Sequence, residues 1–172
     1  MKQNLPITGR ECLYSDSSRI VSATDLQGNI VYANQDFVDI SGFAPEELQG
    51  ANHNIVRHPD MPPAAFADLW GHVQAGKPWM GIVKNRCKNG DHYWVDAFVT
   101  PVLDGTRAVG YQSVRMKPAR HRVEAAERLY QRIGRGSLPW QRWWRLGLGG
   151  KVMAACLRSE EHTSELQSHL NL

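Results

Sequence analysis

The sequence predicts an α+β domain, a five-stranded antiparallel sheet with short helices packed on one face. Two β-type segments precede a run of helix signals, and three β-type segments follow it. Those last three are linked by Asn89-Gly90 and Asp104-Gly105, dipeptides suited to tight hairpins, and apolar residues recur at alternate positions along them.

The elements follow in order. Residues 19–24 and 30–33, rich in Ile, Val and Tyr, read as short strands separated by the turn Asp25-Leu26-Gln27-Gly28-Asn29. Asn34 then stands where its side chain can accept hydrogen bonds from the first free amides of a helix over residues 35–41, with Gly42 as a left-handed exit. Pro45, followed by Glu46 and Glu47 in a first turn that favours negative charge, starts a second short helix ending near Gly50. Asp60 is the expected cap of a longer helix, whose first turn accepts Pro62 and Pro63 because amides there have no intrahelical acceptor. Phe66, Leu69, Trp70 and Val73 fall at i, i+3, i+4 and i+7 and make one apolar stripe, closed by Gly76.

Residues 79–88 and 91–103 flank Asn89-Gly90, which is expected to take the two positive-φ positions of a two-residue turn. A last strand, residues 109–116, follows Asp104-Gly105. Trp79, Gly81, Val83 and Asn85 share one strand face; Tyr93, Val95, Ala97 and Val99 share one on the next. If both faces look inward, Asn85 and Tyr93 bring polar atoms to the rim of an apolar cavity. An inward amide is costly unless bonded, which makes Asn85 the strongest single candidate for a ligand contact.

At 172 residues there is room for one domain and a tail. Twenty basic residues against 17 acidic ones favour no particular partner. Cys12, Cys87 and Cys156 are widely spaced without a C-x-x-C, which fits neither a disulfide framework nor a zinc site and agrees with a reducing cytosol. Residues 1–16 hold no continuous apolar stretch, so no signal peptide is expected and a cytoplasmic sensory part is. No Gly-rich phosphate loop, H-E-x-x-H or G-x-S-x-G is present, which makes an enzyme the least favoured class.

Beyond the sheet, Val123, Ala126, Tyr130 and Ile133 form a helical stripe in a basic segment stopped by Gly134 and Gly136. Residues 138–145 mix Trp with Arg, as segments at a membrane interface do; residues 146–157 are too short to span a bilayer, which takes about 20 apolar residues. Residues 158–172 break sharply in composition and resemble the translation of a sequencing adapter, so they are set aside as a non-native tail. The expected organisation is an N-terminal extension (1–14), a sensory domain (15–117), a basic helical output linker (118–136), a juxtamembrane segment (137–157) and that tail, with the native chain continuing beyond Leu157.

The segment from Asp25 through Asn34, with Phe37, Gly42-Phe43 and Glu46-Glu47-Leu48-Gln49-Gly50, resembles the opening of a PAS domain. Asn52-His53-Asn54-Ile55-Val56-Arg57-His58-Pro59-Asp60-Met61-Pro62 and the hairpin around Asn89-Gly90 are similar to bacterial aerotaxis receptors, of the methyl-accepting chemotaxis protein family. The resemblance covers roughly residues 15 to 117. It implies a PAS fold that binds FAD noncovalently and reports redox state to a membrane-anchored chemoreceptor signalling module. Through that module it implies a chemotaxis kinase complex, with a homodimer at the inner face of the cytoplasmic membrane and no nucleic-acid partner. The cofactor-binding residues it implies are Asn34, His53, Arg57, His58, Asp60, Phe66, Trp70, Trp79, Asn85 and Tyr93; no catalytic or metal residue is implied.

Those types suit the task. A flat, mostly apolar isoalloxazine needs aromatic walls and a few fixed hydrogen bonds, which Phe66, Trp70 and Trp79 with Asn34 and Asn85 could supply. Its diphosphate needs donors, for which Arg57 and His58 are the candidates. Asp60 fits better as an orienter of Arg57 or a helix cap, since a carboxylate repels phosphate. Ordinary structural roles compete: the aromatic stripe as core, Trp79 as a strand-end core residue, Arg57 with Asp60 as a surface ion pair, Asn34 as a cap. A light-driven adduct is disfavoured because residues 52–61 hold no cysteine and Cys87 adjoins the turn. A haem gas sensor using His72 and a cofactor-free interaction module are the competing readings.

Overall fold

The structure, a computed structural model, describes residues 4–135. Its elements are β1 (Ile20–Thr24), β2 (Ile30–Ala33), α1 (Gln35–Ser41), α2 (Pro45–Leu48), a 3-10 turn (His53–Val56), α3 (Pro63–Gln74), β3 (Trp79–Arg86), β4 (His92–Asp104), β5 (Arg107–Met116) and α4 (Arg120–Gly134). The sheet is antiparallel in the order β2-β1-β5-β4-β3, so the last strand enters between the two hairpins and joins them. Asp16 onward to the end of β5 forms the predicted α+β domain; the Trp/Arg segment and the adapter-like tail lie outside the described residues.

Asn34 sits at the joint between the first hairpin and α1. Its Oδ1 accepts from the amides of Phe37 (3.2 Å) and Val21 (2.9 Å), and its Nδ2 donates to the Arg19 carbonyl at 2.6 Å. One side chain thus caps the helix and ties it to β1, which seats Phe37 in the core. The helix leaves through Gly42, at φ 71°.

Two local expectations are corrected. Asp60 does not cap α3, which begins at Pro63 after Pro62; the Pro62 carbonyl accepts from Ala65 at 3.1 Å, so the backbone closes the first turn unaided. Asn89-Gly90 does not form a turn with two positive φ angles, because only Gly90 has one, at 97°. Asn89 instead bonds Asp91 through its side chain, and a Cβ at Gly90 would stand 2.8 Å from the Pro6 carbonyl oxygen, so the N-terminal segment, packed against this turn, helps to shape it.

The inner face of the sheet carries the predicted rows, with Val83 opposite Val95, Asn85 opposite Tyr93 and Ala97 opposite Arg115. The outer face of β3 is buried as well. There α4 lays Val123, Ala126 and Tyr130 against Ile82 and Trp94, and the Tyr130 hydroxyl donates to the Ile82 carbonyl at 2.5 Å. The basic segment is therefore amphipathic because the sheet's back needs a cover.

Candidate functional site

A cavity of about 410 Å³ lies between the inner face of the sheet, the segment around the 3-10 turn and α3. This is the size range of small-molecule sites. Five predicted residues line it: His53, Arg57, Phe66, Trp70 and Asn85. The stripe residues Phe66, Leu69 and Trp70 all face it, so the helical periodicity that reads as core here forms a wall. Trp70 meets Tyr111 edge to face, ring centroids 5.4 Å apart, and the Arg57 guanidinium lies 4.2 Å over the Phe66 ring.

The other five stand behind the wall. Asn34 is spent on its cap. Trp79 donates from its indole nitrogen to Asp68 of α3 at 2.8 Å, and its ring fills the space that a Cβ at Gly81 would need. Asp60 accepts from Lys84 Nζ at 2.7 Å; burial pushes its carboxyl upward, and the bond and charge of Lys84 outweigh that and hold it low. His58, 2% exposed, accepts from the Asp60 amide at 3.2 Å through Nδ1. Tyr93 is fully buried opposite Asn85, where desolvation raises its hydroxyl far above the ordinary value. His72, the haem-ligand candidate, is paired to Asp68 of its own helix and does not line the cavity.

Sequence reasoning missed the most unusual residue here. Arg115 lines the cavity, is 2% exposed and stays cationic although burial lowers it to about 10. Its Nη2 donates to Ser22 Oγ, and its guanidinium lies 4.6 Å over the Phe37 ring, but Nε and Nη1 have no partner. Ser22 in turn lies 3.2 Å from His53 Nε2, and His53 stacks on Phe37 with centroids 5.7 Å apart. Because its oxygen accepts from Arg115, the Ser22 hydroxyl has its proton free for His53, which assigns Nδ1 as the protonated nitrogen of a neutral ring. His53 has surface toward the cavity yet lies deep from bulk water; desolvation, then Arg115, push it to about 3.

These neutral imidazoles make a pH prediction. Burial, then Lys84, hold His58 at about 4, and His53 sits at about 3, against an ordinary 6.5. On acidification the unfolded chain takes up protons first. Their contribution is therefore whole above about pH 6.5 and is lost as pH falls through that value toward the folded pKa values. Urea midpoints should fall between pH 7.5 and 5, by roughly 1 to 3 kcal/mol of stability. In His58→Gln that fall should shrink; an unchanged fall would mean His58 is not held neutral.

With the sheet order and the roofed cavity in place, the class is defined: the chain belongs to the PAS fold family, whose model matches residues 30–115. Over 135 residues it is 47% identical to the Aerotaxis receptor of Escherichia coli (strain K12), covering 78% of this chain and 25% of that one. It is 29% identical over 92 residues to the Nitrogen fixation regulatory protein of Klebsiella pneumoniae, covering 54% of this chain and 19% of that one. The chain thus spans about a quarter or less of these relatives. Among solved structures, a light-oxygen-voltage domain studied with a flavin analogue superposes with a TM-score of 0.59 at 23% identity, over 68% of this chain and 90% of that one. The dark structure of the blue-light photoreceptor Aureochrome1 LOV gives 0.57 at 20%, over 69% and 86%. At these identities the likeness is one of fold.

Proposed function

We propose that this domain is a redox sensor of the energy-taxis type, holding FAD noncovalently in the cavity and passing its state to a chemoreceptor signalling module. The observation that carries the reading is Arg115, a buried cation with two unpartnered N–H groups in the lining of an otherwise largely apolar cavity. Unsatisfied buried donors are costly, so a ligand with acceptors and room for negative charge fits here. A flavin ring has both and supplies reversible electron uptake when bound. The similarity to an aerotaxis receptor and the likeness to a flavin-analogue-bound fold support the same choice.

Phe66, Trp70 and Tyr111 would hold the ring by its faces, and Asn85 and Arg115 by its polar edge. Gln27, Asn52, Asn54 and Arg57 offer polar groups from the cavity lining for a dinucleotide tail, which favours FAD over a shorter flavin. Among the described residues no cysteine lines the cavity, which favours redox sensing over adduct photochemistry. The reading is of a sensor rather than an enzyme. In a longer receptor-type protein, the partners would be the signalling module, a chemotaxis kinase complex and a second copy of the chain, with residues 138–157 near the inner face of the cytoplasmic membrane.

Arg115 interacts more strongly with a ring that has gained negative charge than with a neutral one, and only such a differential interaction can shift a conformational equilibrium. Asn85 lies on β3 three residues from Ile82, whose carbonyl holds Tyr130 of α4, so a shift of that strand reaches the output helix. Hydrogen exchange tests this on flavin-loaded protein. Amides of residues 120–134 should exchange on the order of tenfold differently in the oxidised and dithionite-reduced states, about 1.4 kcal/mol, and Tyr130→Phe should remove the difference. Identical exchange in both states would defeat the output pathway.

A further inference from the structure

We infer that Cys12 and Cys87 are an oxidisable pair, which peroxide converts to a disulfide stapling the N-terminal segment to the β3–β4 hairpin. The inference does not rest on the flavin reading. The segment before β1 is bonded along the start of β4. Thr8 donates its amide to Gly90 O (3.0 Å), His92 to Arg10 O (2.9 Å) and Cys12 to His92 O (2.7 Å). Arg10 pairs with Asp91 at 2.8 Å, and Arg86 Nε donates to the Pro6 carbonyl at 2.8 Å. Cys12 is therefore held at the hairpin by its own backbone. Cys87 is held from the other strand, its amide donating to Asp91 O at 2.8 Å. Both side chains pack in one cluster, and the Cys12 thiol is a polar neighbour of Cys87, within side-chain hydrogen-bonding reach.

The two sulfurs differ in access. Cys87 is 4% exposed and Cys12 is half-buried, so an oxidant meets Cys12 first. The Cys12 thiolate attacks a peroxide oxygen: an S–O bond forms, the O–O bond breaks, and water leaves, giving a sulfenic acid. The Cys87 sulfur then attacks Cys12 Sγ. The S–S bond forms, the S–O bond breaks, and the hydroxide departs as a second water with the Cys87 proton. Two thiols lose two electrons in all, and these reduce the peroxide. Burial, reinforced by Cys12, pushes the Cys87 thiol up to about 12, so the second step should quicken as pH rises. The staple also bears on the cavity, because Asn4 Nδ2 of the same segment donates to the carbonyls of Asn54 (2.7 Å) and Arg57 (2.9 Å), two lining residues.

The test uses the whole chain carrying Cys156→Ser, treated with hydrogen peroxide, then denatured and alkylated for mass spectrometry. The expected product has lost the mass of two hydrogens, takes no alkyl group at Cys12 or Cys87, yields one crosslinked peptide pair and returns to the dithiol with dithiothreitol. Exchange of the amides of residues 8–14 should slow on the order of tenfold. Cys12→Ser, which alters only the half-buried partner, should leave Cys87 alkylatable after the same treatment. Both thiols remaining free, over-oxidation of Cys12 beside a free Cys87, or a Cys12 link between two chains would overturn the assignment.

Discussion

Replacing Arg115 with methionine is expected to make the ligand-free domain more stable and to weaken its hold on flavin. Arg115 is 2% exposed, and two of its donors have no partner. Leaving buried polar groups unmatched is expensive, whereas an apolar side chain of similar length incurs no such cost. Part of the gain is offset by losing the Phe37 ring contact and the bond to Ser22. A net rise of about 1 to 3 kcal/mol in unfolding free energy is expected from urea melts without ligand. Flavin affinity should move the other way, falling about 10- to 150-fold for the loss of charged hydrogen bonds worth about 1.5 to 3 kcal/mol. Arg115→Lys keeps the charge but not the planar fork and should lie between. A variant that is both less stable and as well loaded as the parent would assign Arg115 to structure rather than to the ligand.

Phe37→Ala should produce the largest loss of stability of any substitution considered, about 3 to 5 kcal/mol. The ring is fully buried at the point where α1, the 3-10 turn and β5 converge, stacked on His53 and lying under the Arg115 guanidinium. Truncation removes apolar burial, leaves a void and exposes two polar groups to it. Thermal unfolding followed by circular dichroism should drop by more than about 10 °C. Phe37→Leu keeps most of the volume and should cost under about 1.5 kcal/mol. A small effect of the alanine would mean the void collapses and that α1 does not support the site.

What the sequence made legible was whatever is decided locally. Asn34 and Gly42 announce the ends of α1 because cap chemistry depends on neighbours in the chain. Alternation placed Asn85 and Val83 on the inner face of β3, since parity alone sets the side. The same parity puts Tyr111, Ser113 and Arg115 together on β5, and that signal was available. It was masked because an arginine one residue before a strand's end, close to Lys117, reads as solvent-facing. Only the register that sets it opposite Ala97 and Ile20 carries it inward. Trp79 was placed on the right face, but its ring goes to Asp68 because α3 passes there, a tertiary fact. Asp60 finds Lys84, 24 residues away, in place of a helix end, and Asn89-Gly90 answers to the N-terminal segment packed on it.

The central claim is that a flavin occupies the cavity beside Arg115. Its most direct test is to express the chain in flavin-sufficient cells, purify it, release any chromophore by heat, and identify it by absorption and mass. The account predicts a yellow protein that yields FAD. A colourless protein that stays so when incubated with excess FAD, or one that shows a Soret band, would contradict it.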